Sequence, residues 1–440
     1  MGNTLENIKN TVFKLRPVLK EIADLHSGES LSNYLRTGWQ VPKSKPDRLF
    51  LYCLEQAVAE VYGKEIAVRA RRQLENKPIV STIDHHGIWN HPIFVNSALI
   101  YSLYFQPSEL VLTLSTESVS LNNLSSWSGC LLEHDENLAI KRHSFFPDRL
   151  KSLPVFSAPA INKSGFKKVY SGMSAKTSEL VSLLETESIY DCQDFSTQAC
   201  SMSAKVWQAV FPSASSLLYL PLERLVSQYL LKIFEDPRHI LTRLVASQEG
   251  KDLWRKYFFD EHTFLFWGID AKGRRKAFTG LPDDFSAIIR QIQEKRVYAS
   301  SPLCFAVLLS VGLTCVGGFT QTTWLTRIKK KLSSLLTEFD RLYPSARIDV
   351  MPTENFAETS LAWQKTQDTY IMPTAADLFL SGIDFYPKYQ KLAQGLTLGQ
   401  SLDLMLPTVY SVVVPKKAWL AGFNKIKMQQ QIFEGLKIEI

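Results

Sequence analysis

The chain has 440 residues, of which 45% are hydrophobic and 21% are charged, a composition that excludes an intrinsically disordered protein. One hydrophobic core rarely serves so long a chain, so we expect two or three packed units. Fifty Lys and Arg residues against 43 Asp and Glu residues give a net charge of +7, an excess too mild to indicate nucleic-acid binding.

The N-terminal part of the chain is predicted to lead into a βαβ unit. Apolar residues recur at helical spacing through the first 75 residues, which predicts a helical lead-in. The β-branched run 78–83 then predicts a strand, the segment that begins at Pro92 a helix, and 109–114 a second strand. A βαβ unit implies a parallel sheet whose ligands bind at the carboxyl ends of the strands.

Further strands and helices are predicted beyond this unit. Residues 262–279 form the clearest hairpin, and an amphipathic helix follows at 283–298. A buried strand at 313–316 ends at a glycine pair and leads into a helix at 324–339. The remaining predicted strands, in chain order, are 129–133, 138–143, 153–157, 346–351 and 409–414.

Together these elements predict an α/β fold with a Rossmann-like parallel sheet at its core, an N-terminal helical cap and a helical insertion. In chain order, the predicted units are a helical lead-in (1–75), the first part of the core (76–160), a helical insertion (161–254), the second part of the core (255–360) and a mixed C-terminal segment (361–440). The core is therefore expected to be discontinuous in sequence.

The sequence also indicates a compartment. Its six cysteines form no Cys-x-x-Cys pair, and the N-terminus lacks the basic and apolar order of a signal peptide. The uncharged stretch 297–326 has an apolar centre at 303–316 that is shorter than the ~20 residues of a spanning helix. We therefore expect a buried helix running into a buried strand there, and a cytoplasmic protein without a membrane partner.

The best candidate for a functional site is the loop after the first predicted strand. Three of the chain's eight histidines lie there within seven residues, at His85, His86 and His91, flanked by Asp84 and Asn90. Neutral imidazole serves as a metal ligand or as a general acid and base, and imidazolium pairs with phosphate. We therefore assign catalytic roles to the three histidines and ligand binding to Asp84 and Asn90. In the alternative interpretation, His85 and His91 only cap the helix that follows.

Two other segments are predicted to share a cleft with this loop. Glu117 follows the second strand of the βαβ unit, and the glycine pair Gly317-Gly318, with Gln321 after it, lies between a buried strand and a helix. Glycines at such a turn allow the backbone to approach a ligand closely. We expect Glu117, Gly317, Gly318 and Gln321 to bind the ligand.

One alternative for the loop is a metal site. Asp84-His85-His86 resembles the signature of the DHH phosphoesterases, which bind divalent metal and hydrolyse phosphodiesters. Those enzymes also carry an acidic Asp-x-Asp motif on an earlier strand, and the sequence before Asp84 has none. This alternative predicts a metal-dependent phosphoester hydrolase that uses Asp84, His85 and His86.

The loop taken as a whole resembles a different family. Residues 82–94, with Gly87-Ile88-Trp89 and Pro92-Ile93-Phe94 in order, are similar to the opening strand, loop and helix of the cysteine-adding enzymes of bacillithiol synthesis. The later run Gly317-Gly318-Phe319-Thr320-Gln321 is similar to the Gly-Pro-Gly-Glu element that precedes a helix in that family. The resemblance covers these two short motifs.

This sequence also departs from that family. His85 and His86 stand in place of amide and small residues, Gln321 stands in place of the acidic residue, and no extended C-terminal coiled coil is evident. The resemblance implies a Rossmann-like core similar to that of class I aminoacyl-tRNA synthetases and nucleotidylyltransferases. It carries no implication for the substrate.

The preferred interpretation is a nucleotide- or phosphate-using enzyme of the ligase or transferase type that acts on a small molecule. ATP or another nucleotide with Mg²⁺ is the expected cofactor, held at the positive N-terminus of the helix that begins at Pro92. The histidines are expected to donate to phosphate oxygens as they become charged between about pH 8 and pH 6. A non-catalytic small-molecule-binding or interaction protein on the same fold stays open, and so does the oligomeric state.

Overall fold

A computed structural model describes residues 2–42, 44–85, 91–123, 129–170, 172–173, 175–258, 265–278, 285–340, 346–366 and 369–436. The described strands are Ile79–Ser81 (β1), Leu110–Ser115 (β2), Cys130–His134 (β3), Ile140–Ser144 (β4), Ser216–Pro221 (β5), Phe266–Ile269 (β6), Arg275–Phe278 (β7), Val297–Ala299 (β8), Thr314–Val316 (β9), Gln364–Thr366 (β10) and Thr369–Ile371 (β11). The described α-helices are Gly2–Leu15 (α1), Pro17–His26 (α2), Leu31–Asn33 (α3), Arg48–Tyr62 (α4), Lys64–Asn76 (α5), Pro92–Ser102 (α6), Lys163–Tyr170 (α7), Ala175–Leu184 (α8), Glu187–Tyr190 (α9), Phe195–Val210 (α10), Leu222–Ile233 (α11), Ile240–Ala246 (α12), Gln248–Phe258 (α13), Phe285–Gln293 (α14), Ser301–Ser310 (α15), Gln321–Phe339 (α16), Ala346–Asp349 (α17), Ala375–Leu380 (α18), Tyr386–Gly395 (α19), Leu398–Val413 (α20) and Lys425–Leu436 (α21).

The centre of the fold is a four-stranded parallel sheet with the strand order β5-β2-β1-β9. Ser81 in β1 pairs with Thr113 in β2 on one side and with Val316 in β9 on the other. Every residue of β1, β2 and β9 is buried, as is expected of parallel strands that carry helices on both faces. This architecture confirms the predicted α/β fold with a Rossmann-like core.

Alternate residues of the strands pack into two hydrophobic cores on opposite faces of the sheet. In β2, Val111 belongs to one core, whereas Leu110 and Leu112 belong to the other. Helices α6, α10 and α20 contribute to the first core, and α4, α11, α15 and α16 contribute to the second. Among the described residues, helices therefore cover both faces of the sheet, and the ends of its strands are left for a ligand.

The uncharged stretch 297–326 folds as predicted. It consists of β8, the helix α15, the strand β9 and the beginning of α16. Residues 302–309 of α15 and all residues of β9 are buried, which confirms a buried helix running into a buried strand. Within the described residues, no helix is both long enough and apolar enough to cross a membrane.

A second, antiparallel sheet contains the predicted hairpin. Strands β6 and β7 pair across the turn Asp270–Gly273, and β8 pairs with the other edge of β6. Gly273 has a positive φ of 77° in this turn, a conformation that suits glycine. The helix predicted at 283–298 is α14, and the last part of that range forms β8 instead.

Three predicted strands are helical in the structure. Residues 346–351 contain α17, 153–157 contain the 3₁₀ turn Val155–Ser157, and 409–414 include the end of α20. The valines near the end of α20 favour a strand by propensity. However, α20 begins with a capping box between Thr397 and Gln400 and packs against α1 and α21, and these contacts override local propensity.

The predicted helical insertion contributes a strand to the central sheet. β5 lies between α10 and α11 and pairs with β2 over its whole length, from Leu110 opposite Ser216 to Ser115 opposite Pro221. The insertion is therefore built into the core and is not an appendage of it.

An extended segment, residues 352–363, runs along the β9 edge of the sheet. Gly317 donates its N–H to the carbonyl of Asn355 at 2.8 Å and accepts the N–H of Ala357 at 3.2 Å. The amide oxygen of Asn96, in α6, accepts two consecutive backbone N–H groups of the segment at 2.7 and 2.6 Å. These bonds fix the segment beside the glycine pair that follows β9.

Candidate functional site

A cavity of about 630 Å³ opens at the carboxyl ends of the parallel strands. Its wall takes residues from the loops after β1 and β2 and from the glycine turn after β9. Strands β2 and β5 lie on one side of β1 and β9 lies on the other, so the order of the strands reverses between β1 and β9. Ligands of open parallel sheets bind at such a reversal, and the cavity is therefore the candidate functional site.

The structure brings part of the predicted site to this cavity. The predicted residues that line it are His85, His91, Gly318 and Gln321. The described ones that lie behind its wall are Asp84, Glu117 and Gly317. His86 and Asn90 lie outside the described residues.

His91 is the N-cap of α6. Its Nδ1 accepts the N–H of Ile93 at 3.2 Å, which leaves Nε2 to carry the proton of the neutral ring. Burial, with a smaller effect from the nearby Lys425 ammonium, lowers the pKa of His91 to about 3. The capping role considered for His91 is therefore confirmed, while its ring also lines the cavity.

His85 has different surroundings. Its ring packs edge-on against Phe94, with the ring centroids 5.6 Å apart and the planes at 78°. Burial lowers the pKa of His85 to about 4, and its Nδ1 has no hydrogen-bond partner among the described residues. The capping role considered for His85 is therefore not seen in these contacts.

Both histidines are uncharged at physiological pH. Burial disfavours the charged forms of His85 and His91 and lowers the pKa of both, which gives no support to the expectation that these two imidazoles become charged between about pH 8 and pH 6. A neutral imidazole can still donate through one ring nitrogen or accept a proton. The positive charge of this site must come from other groups.

Glu117 lies behind the cavity in a buried ion-pair cluster. Its Oε2 accepts the N–H of Arg224 at 3.1 Å, and its Oε1 lies 3.4 Å from the Arg224 guanidinium, which also contacts Asp194 at 3.0 Å. Glu223 accepts the N–H groups of Glu117 at 2.7 Å and Ser118 at 3.1 Å. Burial raises the pKa of both glutamates. The position of Glu117 therefore gives no support to its predicted ligand-binding role.

Asp84 is buried on the same side. Its carbonyl accepts the N–H of Thr116 at 3.2 Å, and its carboxylate lies near Tyr219 of β5, whose pKa is raised by burial and by this carboxylate. The backbone N–H and carbonyl of Gly317 are both hydrogen-bonded to the extended segment. Asp84 and Gly317 thus lie behind the lining residues, and these contacts give no support to their predicted ligand binding.

The loop after β2 is held from two sides. Glu223 binds its amides, and Arg275 of β7 donates to the carbonyl of Ser118 at 2.7 Å. The Arg275 guanidinium lies 4.0 Å from the centre of the Trp267 ring, and both side chains line the cavity. The antiparallel sheet therefore forms one wall of the site.

Gln321 connects the ends of β1 and β9. Its Nε2 donates to the hydroxyl of Thr82, and that hydroxyl donates to the carbonyl of Val316 at 3.3 Å. Both Gln321 and Thr82 line the cavity. Gln321 therefore lies where it was predicted, with one of its amide hydrogens already used within the protein.

Glu358, from the extended segment, places a carboxyl group against the glycine turn. Its Oε2 accepts the N–H of Phe319 at 2.8 Å, and a Cβ atom at Gly318 would collide with this oxygen. Burial raises the pKa of Glu358 to about 8, because no cation among the described residues pairs with the carboxylate. The Glu358 carboxyl is therefore mostly protonated at neutral pH.

Positive charge reaches the cavity from Arg275, from Lys425 and from helix N-termini. Lys425, the first residue of α21, lines the cavity, has its pKa lowered by burial, and has no carboxylate partner among the described residues. The first turns of α6, α15 and α16 line the same cavity through His91, Ser301 and Gln321. A helix N-terminus carries about half a positive charge and offers N–H groups to an anion.

The N-terminus of α16 is the most open of these. His91 caps α6, Ser300 caps α15, and Asn424 accepts the N–H of Lys427 at 3.0 Å in α21. Within the described residues, no side chain caps α16. The N–H of Thr322 binds the carbonyl of Gly318 at 3.0 Å, so only the remaining N–H groups of the first turn are left to solvent or to a ligand.

The rest of the wall is largely apolar and aromatic. Five rings contribute to it, those of Phe94, Trp267, Phe305, Phe319 and Trp324. Ligand pockets commonly combine such a surface with a few polar groups that fix the orientation of the ligand. The cavity therefore suits a small molecule with an anionic group and an apolar or planar body.

A second cavity, of about 640 Å³, lies on another part of the molecule, between α10 and β5. Its most buried cation, Arg224, is already paired with Glu117 and Asp194. Its lysine Lys205 donates to the hydroxyl of Thr186 at 2.6 Å. Among its described lining residues, this cavity has no unpaired and partly buried cation comparable to Lys425.

The metal alternative finds no ligand set in the described part of the chain. No group of three or more His, Cys, Asp and Glu side chains there is placed to hold a metal ion. His86 lies outside that part, so the Asp84-His85-His86 motif stays a prediction.

Comparison with known proteins assigns no family to this chain. No family model matches it, and a search of curated proteins found no match. The resemblance to the cysteine-adding enzymes therefore stays a prediction.

The sequence did not reveal two of the cavity's ionisable groups. Glu358 lies in a polar run without helical or strand periodicity, and Lys425 follows a short loop near the C-terminus. Both reach the cavity through tertiary packing.

Proposed function

We propose that this protein is an enzyme of the ligase or transferase type that binds a nucleotide or another phosphate-bearing small molecule in the cavity at the β1 and β9 ends. One observation carries the proposal: the first turns of α6, α15, α16 and α21 all line this cavity, together with the unpaired Lys425 among the described residues. Several helix N-termini and a partly buried ammonium group make the cavity attractive to an anion.

The phosphate group is assigned to the uncapped N-terminus of α16. The preceding Gly317-Gly318 turn allows the backbone to approach closely, and the first amides of α16 have no side-chain cap in the described structure. Such a strand, glycine turn and helix is a common phosphate-binding arrangement. Lys425 supplies a full charge from another part of the wall, and Mg²⁺ would accompany the phosphates of a nucleotide.

The two histidines take a different role from the one predicted. As neutral imidazoles they do not attract phosphate, but His85 can accept a proton from an attacking group of a second substrate. The aromatic rings of the wall would hold the apolar or planar body of the ligand. In this proposal, Lys425 and the N-terminus of α16 bind the anion, and His85 transfers the proton.

A ligand screen tests the proposal. ATP with Mg²⁺ should raise the melting temperature, because a ligand at about 100 times its dissociation constant stabilises the fold by about 2.7 kcal/mol. Adenosine, which lacks the phosphates, should stabilise much less. Lys425→Met should remove the effect of ATP, whereas Lys427→Met, an exposed position on the same helix, should retain it.

Two outcomes would contradict the proposal. Stabilisation by Mn²⁺ or Zn²⁺ alone, with none by nucleotides, would favour the metal-dependent hydrolase. Binding of ATP without turnover of any second substrate would favour a non-catalytic binding protein on the same fold.

A further inference from the structure

The two oxygens of the Glu358 carboxyl have different surroundings. Oε2 accepts the N–H of Phe319 and lies over Gly318. Oε1 has no hydrogen-bond partner among the described residues, although Glu358 lines the cavity. A ligand in the cavity can therefore reach Oε1, while Oε2 stays bound to the backbone.

This carboxyl group stands beside the place that the proposed function assigns to the anion. Phe319, which binds Oε2, lies two positions before Gln321, the first residue of α16. A charged carboxylate there would repel the anion. A protonated carboxyl would instead donate its O–H to an anion oxygen, and such charge-assisted bonds are among the stronger hydrogen bonds in proteins.

We propose that Glu358 binds the anionic group of the ligand as a neutral carboxylic acid, through an O–H donated by Oε1, and that loss of this proton to solvent weakens binding of the anion. This inference rests on the proposed function. It makes Glu358 a specificity-determining residue, which selects ligands whose anionic group accepts hydrogen bonds, such as a phosphate or sulfate group. It also makes affinity depend on pH above neutrality, and the raised pKa of Glu358 places that dependence near pH 8.

Other ionisable groups near the anion also affect how binding depends on pH. The described cavity wall also carries His85, His91, Arg275 and Lys425. The two histidines stay neutral above neutrality, and Arg275 stays charged. Lys425 has a lowered pKa, so it can lose its charge in the same range and weaken binding by itself.

Two arginines lie further out, near the start of α16. Arg16 donates to the hydroxyl of Thr320 at 3.2 Å, and Arg327 lies close enough to lower the pKa of Arg16. Arginine keeps its charge throughout the range in which Glu358 titrates. Neither arginine can therefore imitate the pH dependence that the proposal assigns to Glu358.

The test compares wild type with Glu358→Gln by isothermal titration calorimetry. Sulfate is the first probe, because its charge does not change above neutrality, and ATP with Mg²⁺ is the second. Glutamine keeps an oxygen for the Phe319 N–H and presents an N–H₂ group as a permanent donor. At about pH 6.5 both proteins should bind with similar affinity, and Glu358→Ala, which has no donor, should bind more weakly.

The two proteins should diverge as the pH rises. Above about pH 8 the affinity of the wild type should fall, relative to that of Glu358→Gln, by up to roughly tenfold per pH unit. The decline caused by Lys425 is common to both proteins and cancels in the ratio. An identical pH profile in the two proteins, or a loss of binding in Glu358→Gln equal to that in Glu358→Ala, would overturn this inference alone.

A measurement on the wild type does not depend on any variant folding well. Sulfate titrations at about pH 8.5 in buffers of different ionisation enthalpy should show uptake of protons with the anion, because binding favours the protonated carboxyl and also the charged form of Lys425. The share of Glu358 is the uptake that Glu358→Gln lacks. Binding without proton uptake would overturn the inference. Failure of both sulfate and ATP to bind the wild type at any pH would overturn the proposed function together with it.

Discussion

The carboxyl group of Glu358 fills the space that a side chain at Gly318 would need. Gly318→Ala should therefore push the carboxyl away from the Phe319 N–H and lower the free energy of unfolding by about 1–3 kcal/mol. Chemical unfolding measures this loss. Gly28→Ala is the control, because a Cβ atom at Gly28 meets nothing within 4 Å.

A double-mutant cycle shows whether the clash involves Glu358. In the background of Glu358→Ala, the same Gly318→Ala change should cost much less, since the oxygen that it would meet is gone. Equal costs in the two backgrounds would mean that the glycine is needed for another reason.

The two described histidines should respond differently to replacement by alanine. His91→Ala removes the cap of α6 and should lower stability by about 1 kcal/mol, and His91→Asn should restore most of it, because asparagine is a good N-cap. His85→Ala removes no hydrogen bond within the described structure. It should change stability little and should slow turnover of the second substrate while ATP still binds.

The low pKa values of these histidines predict how stability depends on pH. Each histidine has an unfolded pKa of about 6.5 and a folded pKa of about 4 for His85 and about 3 for His91, so between these values the unfolded chain binds more protons. The contribution of each neutral histidine to the free energy of unfolding is therefore fully present above about pH 6.5. It is lost as the pH falls, by up to about 1.4 kcal/mol per pH unit for each histidine. Unfolding curves at about pH 4.5 and 6.5 measure this loss, which should be smaller in His91→Asn than in wild type.

The buried cluster behind the cavity predicts a large effect of a single substitution. Arg224→Met leaves Glu117 and Asp194 without their cation and should cost about 3–5 kcal/mol. The exposed pair of Arg238 and Asp236 is the comparison, because solvent screens such a pair and Arg238→Met should cost far less than Arg224→Met. Similar costs at the two positions would show that the cluster is well hydrated in solution.

The fold could be predicted in outline because its central part obeys simple patterns. The unit of β1, α6 and β2 was predicted from a β-branched strand, a loop and a helix that begins with proline. The helix α15 and the strand β9 were predicted from the uncharged stretch 297–326. Strand β5 was missed because Leu217 to Leu220 is a short apolar run between two helices. Such a run cannot be assigned to strand or helix by periodicity alone.

The candidate site could be predicted only where its residues are neighbours in sequence. The histidine loop was visible because chemically active residues are crowded there, and the glycine pair because it follows a buried strand. The charge states could not be predicted, since the burial that keeps His85 neutral and Glu358 protonated is a property of the folded protein. The same holds for Lys425, which α21 brings to the cavity from the C-terminal end of the chain.

The pairing of β1 with β9 also has a consequence for the synthesis of the protein. β1 can pair with β2 soon after it leaves the ribosome. Ile79 of β1 can pair with Thr314 of β9 only after more than 200 further residues have been synthesised. At the usual rate of about 5–20 residues per second, this delay lasts about 10–50 s. During that time the nascent chain carries an open, apolar strand edge, which can pair with another chain. Fragments that end before β9 are therefore expected to aggregate or to be retained by chaperones, even though they contain most of the residues of the sheet.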